Sequence, residues 1–77
     1  MSRRKQFPSY VLTSVLTEVL RTSEATHSAI ATAAGIHPVI FSRVFRGTTF
    51  STRLKKRIER VAAMFGIPVD RAVRRVR

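Results

Sequence analysis

The sequence predicts an all-α fold, five short helices joined by tight turns into one small domain. Three observations carry that expectation. Apolar residues recur at spacings of three and four through most of the chain, the period of a helix with one buried face. Gly35, Gly47 and Gly66 stand where those runs would stop, and Pro38 and Pro68 where new ones would start. The chain has 77 residues. A chain of that size hides only about 60% of its unfolded surface, which favours a simple, locally stabilised architecture.

The first helix is expected with Pro8 in its first turn. Val11, Leu12, Val15, Leu16, Val19 and Leu20 then form two adjacent i,i+4 rows, ending near Thr22-Ser23. The valines suit a strand as well, but the paired spacing fits a helix better. Thr26 follows as an N-cap, its hydroxyl placed to accept a free amide of the next turn. Ile30, Ala31 and Ala34 share one face, and Gly35 ends this second helix. The third starts at His37-Pro38, runs to Arg46 and stops at Gly47. Ser51 caps the fourth, in which Leu54, Ile58, Val61, Ala62 and Phe65 make an inward stripe closed by Gly66. Pro68 begins a fifth helix carrying Val69, Ala72, Val73 and Val76, and no strand is expected. The layout is a basic arm over 1–7 and one domain over 8–77.

Charge narrows the function. Fifteen Lys and Arg face four Asp and Glu, a net of +11, yet 44% of residues are hydrophobic. That composition excludes a disordered basic tail and points to a folded domain with a polyanionic partner, nucleic acid first. The charge is uneven. Residues 1–42 hold four basic against two acidic groups, a net of +2, and 43–77 hold eleven against two, a net of +9.

Other classes fall away. There is no cysteine, hence no disulfide framework, thiolate nucleophile or Cys-based zinc site. No apolar run approaches the roughly 20 residues of a membrane span. The start, Met1-Ser2-Arg3-Arg4-Lys5, has the charge of a signal peptide but lacks its uninterrupted apolar stretch and small-residue cleavage site. His27 and His37 have no carboxylate or thiol partner at ligand spacing, so no metal is expected. No nucleophile–base–orienter set is visible, so no enzyme, cofactor or small-molecule ligand is expected.

The informative segment runs from His27 to Gly47. Two short helices meet at Gly35 with a turn of about three residues, a helix-turn-helix pattern. Ala31 is small where a second helix would cross closely. Ile30, Ile36, Phe41 and Val44 are apolar where the pair would pack together.

On these residues the chain resembles the lambda repressor-like superfamily, above all Cro/Xre-type regulators. Aligned on Gly35, Thr26 falls on the family's Ser cap, His27 on its Gln and Ala31 on its small residue. Phe41-Ser42-Arg43-Val44-Phe45-Arg46-Gly47 resembles the "ISRIERG" ending, and Val61-Ala62-Ala63-Met64-Phe65-Gly66-Ile67 resembles the close of the fourth helix. The resemblance covers about 10–73. Lac-repressor-type domains are the second resemblance, but they begin directly at the helix-turn-helix. The chain departs from the family where His37 and Pro38 replace the polar cap and first residue of the third helix, and where Val39 and Ile40 replace small polar residues. A different base preference is expected.

Helical-wheel arithmetic identifies the reading face. With Phe41, Val44 and Phe45 turned inward, about 100° per residue turns Val39, Arg43 and Arg46 outward. Arg43 suits a bidentate contact to guanine, and Val39 suits only a thymine methyl. Ser42 flanks the stripe and is counted with the base readers, a phosphate being its other acceptor. Arg46 is assigned to a phosphate. Thr26, His27 and Ser28 open the second helix and offer free amides to a phosphate, and the resemblance implies a phosphate-binding residue at His27. Thr48, Thr49 and Ser51 supply hydroxyls in the next loop, where relatives touch the DNA backbone. Arg3, Arg4 and Lys5 form an arm able to follow a groove. Arg53, Lys55, Lys56, Arg57 and Arg60 are read as a solvated face, with Lys55 paired to Glu59 at i,i+4.

The expected function is a sequence-specific, double-stranded-DNA-binding transcriptional regulator, a repressor of phage or mobile-element type. It occupies an operator through a recognition helix over about 38–46. A homodimer on a palindromic site and a cytoplasmic setting belong to the same expectation. The alternatives are a recombination accessory or architectural protein, an autoregulatory antitoxin and, from another class, a membrane-active basic helical protein. RNA binding ranks lower, because the chain has one Tyr and no Trp to form a stacking platform.

Overall fold

A computed structural model describes residues 7–76. The element order is β1 (Tyr10–Leu12), α1 (Ser14–Thr22), α2 (His27–Ala34), α3 (Pro38–Phe45), α4 (Thr52–Met64), α5 (Val69–Ala72) and β2 (Val73–Arg75). Among the described residues the structure is mostly helical, with five helices as expected; the expectation of no strand needs correcting, because a short antiparallel ribbon pairs the segment before α1 with the segment after α5. Tyr10 stands opposite Arg75, Val11 opposite Arg74 and Leu12 opposite Val73.

The ribbon replaces structure expected to be helical at both ends. Tyr10-Val11-Leu12 favours a pleated, half-buried surface, and the partner that satisfies its backbone lies more than 60 residues away. Helical periodicity is blind to such a partner. Thr13 fixes the changeover. Its hydroxyl accepts from the Leu16 amide at 3.4 Å, capping α1, while its own amide donates to the Ala72 carbonyl at 3.0 Å. The first helix therefore starts at Ser14 rather than in the turn of Pro8. At the other end α5 is a single turn, because Val73 is already extended (φ −129°, ψ 136°) and paired with β1.

β1 is paired along both edges. The Tyr10 amide donates to the Phe50 carbonyl, and the Phe50 amide donates to the Tyr10 carbonyl, both at 2.9 Å. The loop after α3 is thereby tied to the same strand as the C-terminal segment.

The three middle helices begin and end where expected. Thr26 accepts from the Ala29 amide at 3.1 Å, His37 Nδ1 from the Val39 amide at 3.2 Å and the Ser51 hydroxyl from the Leu54 amide at 3.5 Å. After α2 the Ile36 amide reaches back to the Ala31 carbonyl and the Gly35 amide to Thr32, at 2.8 and 3.1 Å. That pair of bonds needs a left-handed residue between helix and turn, and Gly35 supplies it at φ 77°. Ile36, the next residue, drops into the core.

The core joins every helix. Leu16 and Leu20 come from α1, Ile30, Ala31 and Ala34 from α2, Phe41 and Val44 from α3, Ile58, Val61 and Ala62 from α4, and Ala72 from α5; Ile36, Phe50 and Val73 complete it. Among the described residues no polar or charged residue is buried. Burying each large apolar side chain stabilises by about 1.5–3 kcal/mol. Ala31 and Ala34 have no exposed surface, and their small size lets α2 lie close to both α3 and α4.

Candidate nucleic-acid interface

α3 is two-faced. Phe41 and Val44 are buried, and Phe45 is half-buried against the core. On the other side Pro38, Val39, Ile40, Arg43 and Arg46 are exposed, with Ser42 half-buried between the two faces. The wheel arithmetic thus places Val39, Arg43 and Arg46 correctly. It overlooked Ile40, whose position three residues before Arg43 was the available signal.

Both ends of α3 are held by other elements. Between α2 and α3 the chain turns by 114° over Gly35, Ile36 and His37. Arg57 of α4 donates from Nη1 to the Gly35 carbonyl at 2.8 Å, and Arg60 Nη1 lies beside the same glycine. At the far end, Gly47 (φ 110°) closes α3, and the Thr48 amide returns to the Arg43 carbonyl at 3.0 Å. The loop over 47–51 is then fixed by the Phe50–Tyr10 bridge.

His27 sits differently from a surface phosphate ligand. Its ring packs against Phe45 at 4.4 Å and edge-on to Phe41 at 5.8 Å between centroids. Nε2 lies 3.3 Å from the Leu20 carbonyl. The side chain is half-buried and fastens the start of α2 to α1 and α3. Its backbone amide lies in the first turn of α2, where a helix leaves its amides without an intrahelical partner.

The remaining hydroxyl candidates are all exposed: Thr26, Ser28, Thr48, Thr49 and Ser51. Thr26 and Ser51 already accept helix amides, yet each hydroxyl keeps its hydrogen for a further acceptor. Arg3, Arg4 and Lys5 lie outside the described residues.

Most of the positive charge on α3 and α4 is uncompensated among the described residues. Two ion pairs occur among the described residues, Arg21 with Glu18 and Lys55 with Glu59. Arg43, Arg46, Arg53, Lys56, Arg57 and Arg60 are exposed and have no carboxylate partner among the described residues. Lys55 departs from the solvated face expected of it. It is partly covered and lies 5.3 Å from the Tyr10 ring centroid while holding Glu59 at 2.9 Å.

No protein-family profile, curated protein or solved structure matches the chain.

Among the described residues no single helix is long and apolar enough to cross a membrane. α2 and α3 together have the length and composition of a bent span, but the apolar residues that give them that character are largely core: Ile30, Ala31, Ala34, Phe41 and Val44.

Proposed function

We propose that this chain is a sequence-specific double-stranded-DNA-binding regulator of the helix-turn-helix type, in which α2 and α3 are the motif and α3 enters the major groove. The observation that carries the reading is the division of α3: an apolar face sealed in the core, and an opposite face bearing Arg43 and Arg46 without a carboxylate partner among the described residues. Two helices crossing at roughly 90–120° over a three- to four-residue turn containing Gly are the form that presents such a face to DNA.

The roles follow from position. Arg43 donates two hydrogen bonds to a guanine edge, and Val39 and Ser42 meet neighbouring bases. Arg46, the hydroxyls of Thr48, Thr49 and Ser51, and the first turn of α2 over 26–28 hold phosphates on either side. His27 contributes its amide and keeps its ring as a packing element. The chain acts by binding, without catalysis or a cofactor, and represses by occupying an operator. Two copies sharing a palindrome place their α3 helices about 34–36 Å apart.

Counterion release supplies the affinity. With about five phosphates neutralised per chain, log K against log salt for a duplex has a slope of about −4 to −5. Fluorescence anisotropy with a labelled 30-bp duplex at rising salt measures it. Affinity indifferent to salt, or absent at low salt, contradicts the proposal.

A further inference from the structure

Six large apolar residues are exposed among the described residues: Phe7, Val15, Val39, Ile40, Met64 and Val76. Only Val39 and Ile40 are neighbours in sequence on one helix. They are 52% and 44% exposed, and Pro38 before them is exposed as well. The first turn of α3 therefore offers a duplex no side-chain hydrogen bond, while Arg43 and Arg46 follow within two turns.

We infer that Val39 and Ile40 together read thymine methyl groups, so that the selected duplex carries adjacent thymines beside the base pair taken by Arg43. This rests on the proposed DNA-binding function and specifies its substrate. The major groove presents hydrogen-bonding edges at every base pair, and its one apolar group is the C5-methyl of thymine. A branched aliphatic pair gains nothing from a guanine or adenine edge, and it desolvates that edge without replacing its hydrogen bonds. Against a methyl it buries apolar surface on both partners. Val39 lies four residues before Arg43 and Ile40 three, so both side chains share with Arg43 one side of the helix.

Charge decides the occupant. Arg43 and Arg46 on α3, and Arg57 and Arg60 beside Gly35 just before it, lack carboxylate partners among the described residues. A second copy of the chain would bring the same positive charge to the patch. A duplex brings phosphates for the arginines and methyls for the aliphatic pair.

The test starts from selection of bound sequences out of a random duplex library with the wild-type chain. The enriched duplex is then remade with uracil for each thymine, which deletes only the methyl. A buried methyl at ~0.8 kcal/mol corresponds to about a fourfold loss. The expected result is a loss of about fourfold at each of two adjacent thymines and none at flanking ones. The double variant V39A/I40A, altered only at exposed positions, binds the thymine and uracil duplexes alike. An enriched motif bound equally well with uracil overturns the inference and leaves DNA binding standing. A library that yields no motif, or tighter binding to phosphatidylglycerol vesicles than to duplex at the same salt, overturns both.

Discussion

Arg57 and Gly35 are 22 residues apart, and a 2.8 Å hydrogen bond from the guanidinium to the glycine carbonyl joins them. The bond satisfies a carbonyl in the turn between α2 and α3 and anchors that turn to α4. The orientation of α3 is thereby coupled to the longest helix of the domain. Arg57 also belongs to the uncompensated positive surface, so one side chain serves both the fold and the charge.

Arg57→Ala removes the bond and the charge, and Arg57→Lys removes the forked geometry alone. Both variants are expected to lose about 0.5–1.5 kcal/mol of stability. Only Arg57→Ala should also flatten the salt dependence of duplex binding. Urea midpoints and anisotropy titrations separate the two effects. Wild-type midpoints in both variants contradict a structural role for the bond.

At Gly35 the backbone is left-handed, and an added Cβ would meet Arg60 Nη1 at 3.9 Å, an ordinary contact. The cost of Gly35→Ala is therefore conformational, about 1–2 kcal/mol. Asn adopts this region more readily, so Gly35→Asn should unfold between wild type and the alanine variant. Thermal unfolding of the three proteins gives the order.

The two faces of α3 should respond oppositely to truncation. Phe41 has no exposed surface, and Phe41→Ala should cost about 3–5 kcal/mol through the cavity it leaves. Val39→Ala, at an exposed position, should stay within about 0.5 kcal/mol of wild type. A large loss of stability in Val39→Ala would place that side chain in the core and remove it from any reading face.

Arg43→Ala should weaken binding to the selected site by about 1–3 kcal/mol and relax discrimination at one base pair. On random duplex the loss should be smaller, that of one phosphate-range charge. An equal loss on both duplexes makes Arg43 a phosphate contact.

Much of the helical part of this architecture was legible in the sequence because its signals are local. Thr26, His37 and Ser51 cap helices at their own positions, and Gly35, Gly47 and Gly66 end them within a residue or two. On the exposed side of α3, Val39, Arg43 and Arg46 followed from period alone, and Ile40 was overlooked. The ribbon was not legible, since Val11 and Leu12 continue the apolar spacing of α1 and only their distant pairing with Arg74 and Val73 makes them a strand. Val73 and Val76 likewise extend the spacing of α5 although its chain turns extended at Val73. His27 was assigned to a phosphate from the resemblance and from its place in the first turn of α2; Phe41 and Phe45, against which its ring packs, approach only once α3 has turned back on α2. Arg57 and Arg60 looked like any solvated helix face, and nothing near them in sequence announces Gly35.

Amide chemical-shift mapping of the labelled chain during titration with the selected duplex shows directly whether α3 is the element that meets DNA. Binding through α3 predicts the largest changes at 38–46, with a second set at the amides of 26–28 and 48–51, and little change along β1. Changes confined to α1 and the β1–β2 ribbon, or none at low salt, would contradict it.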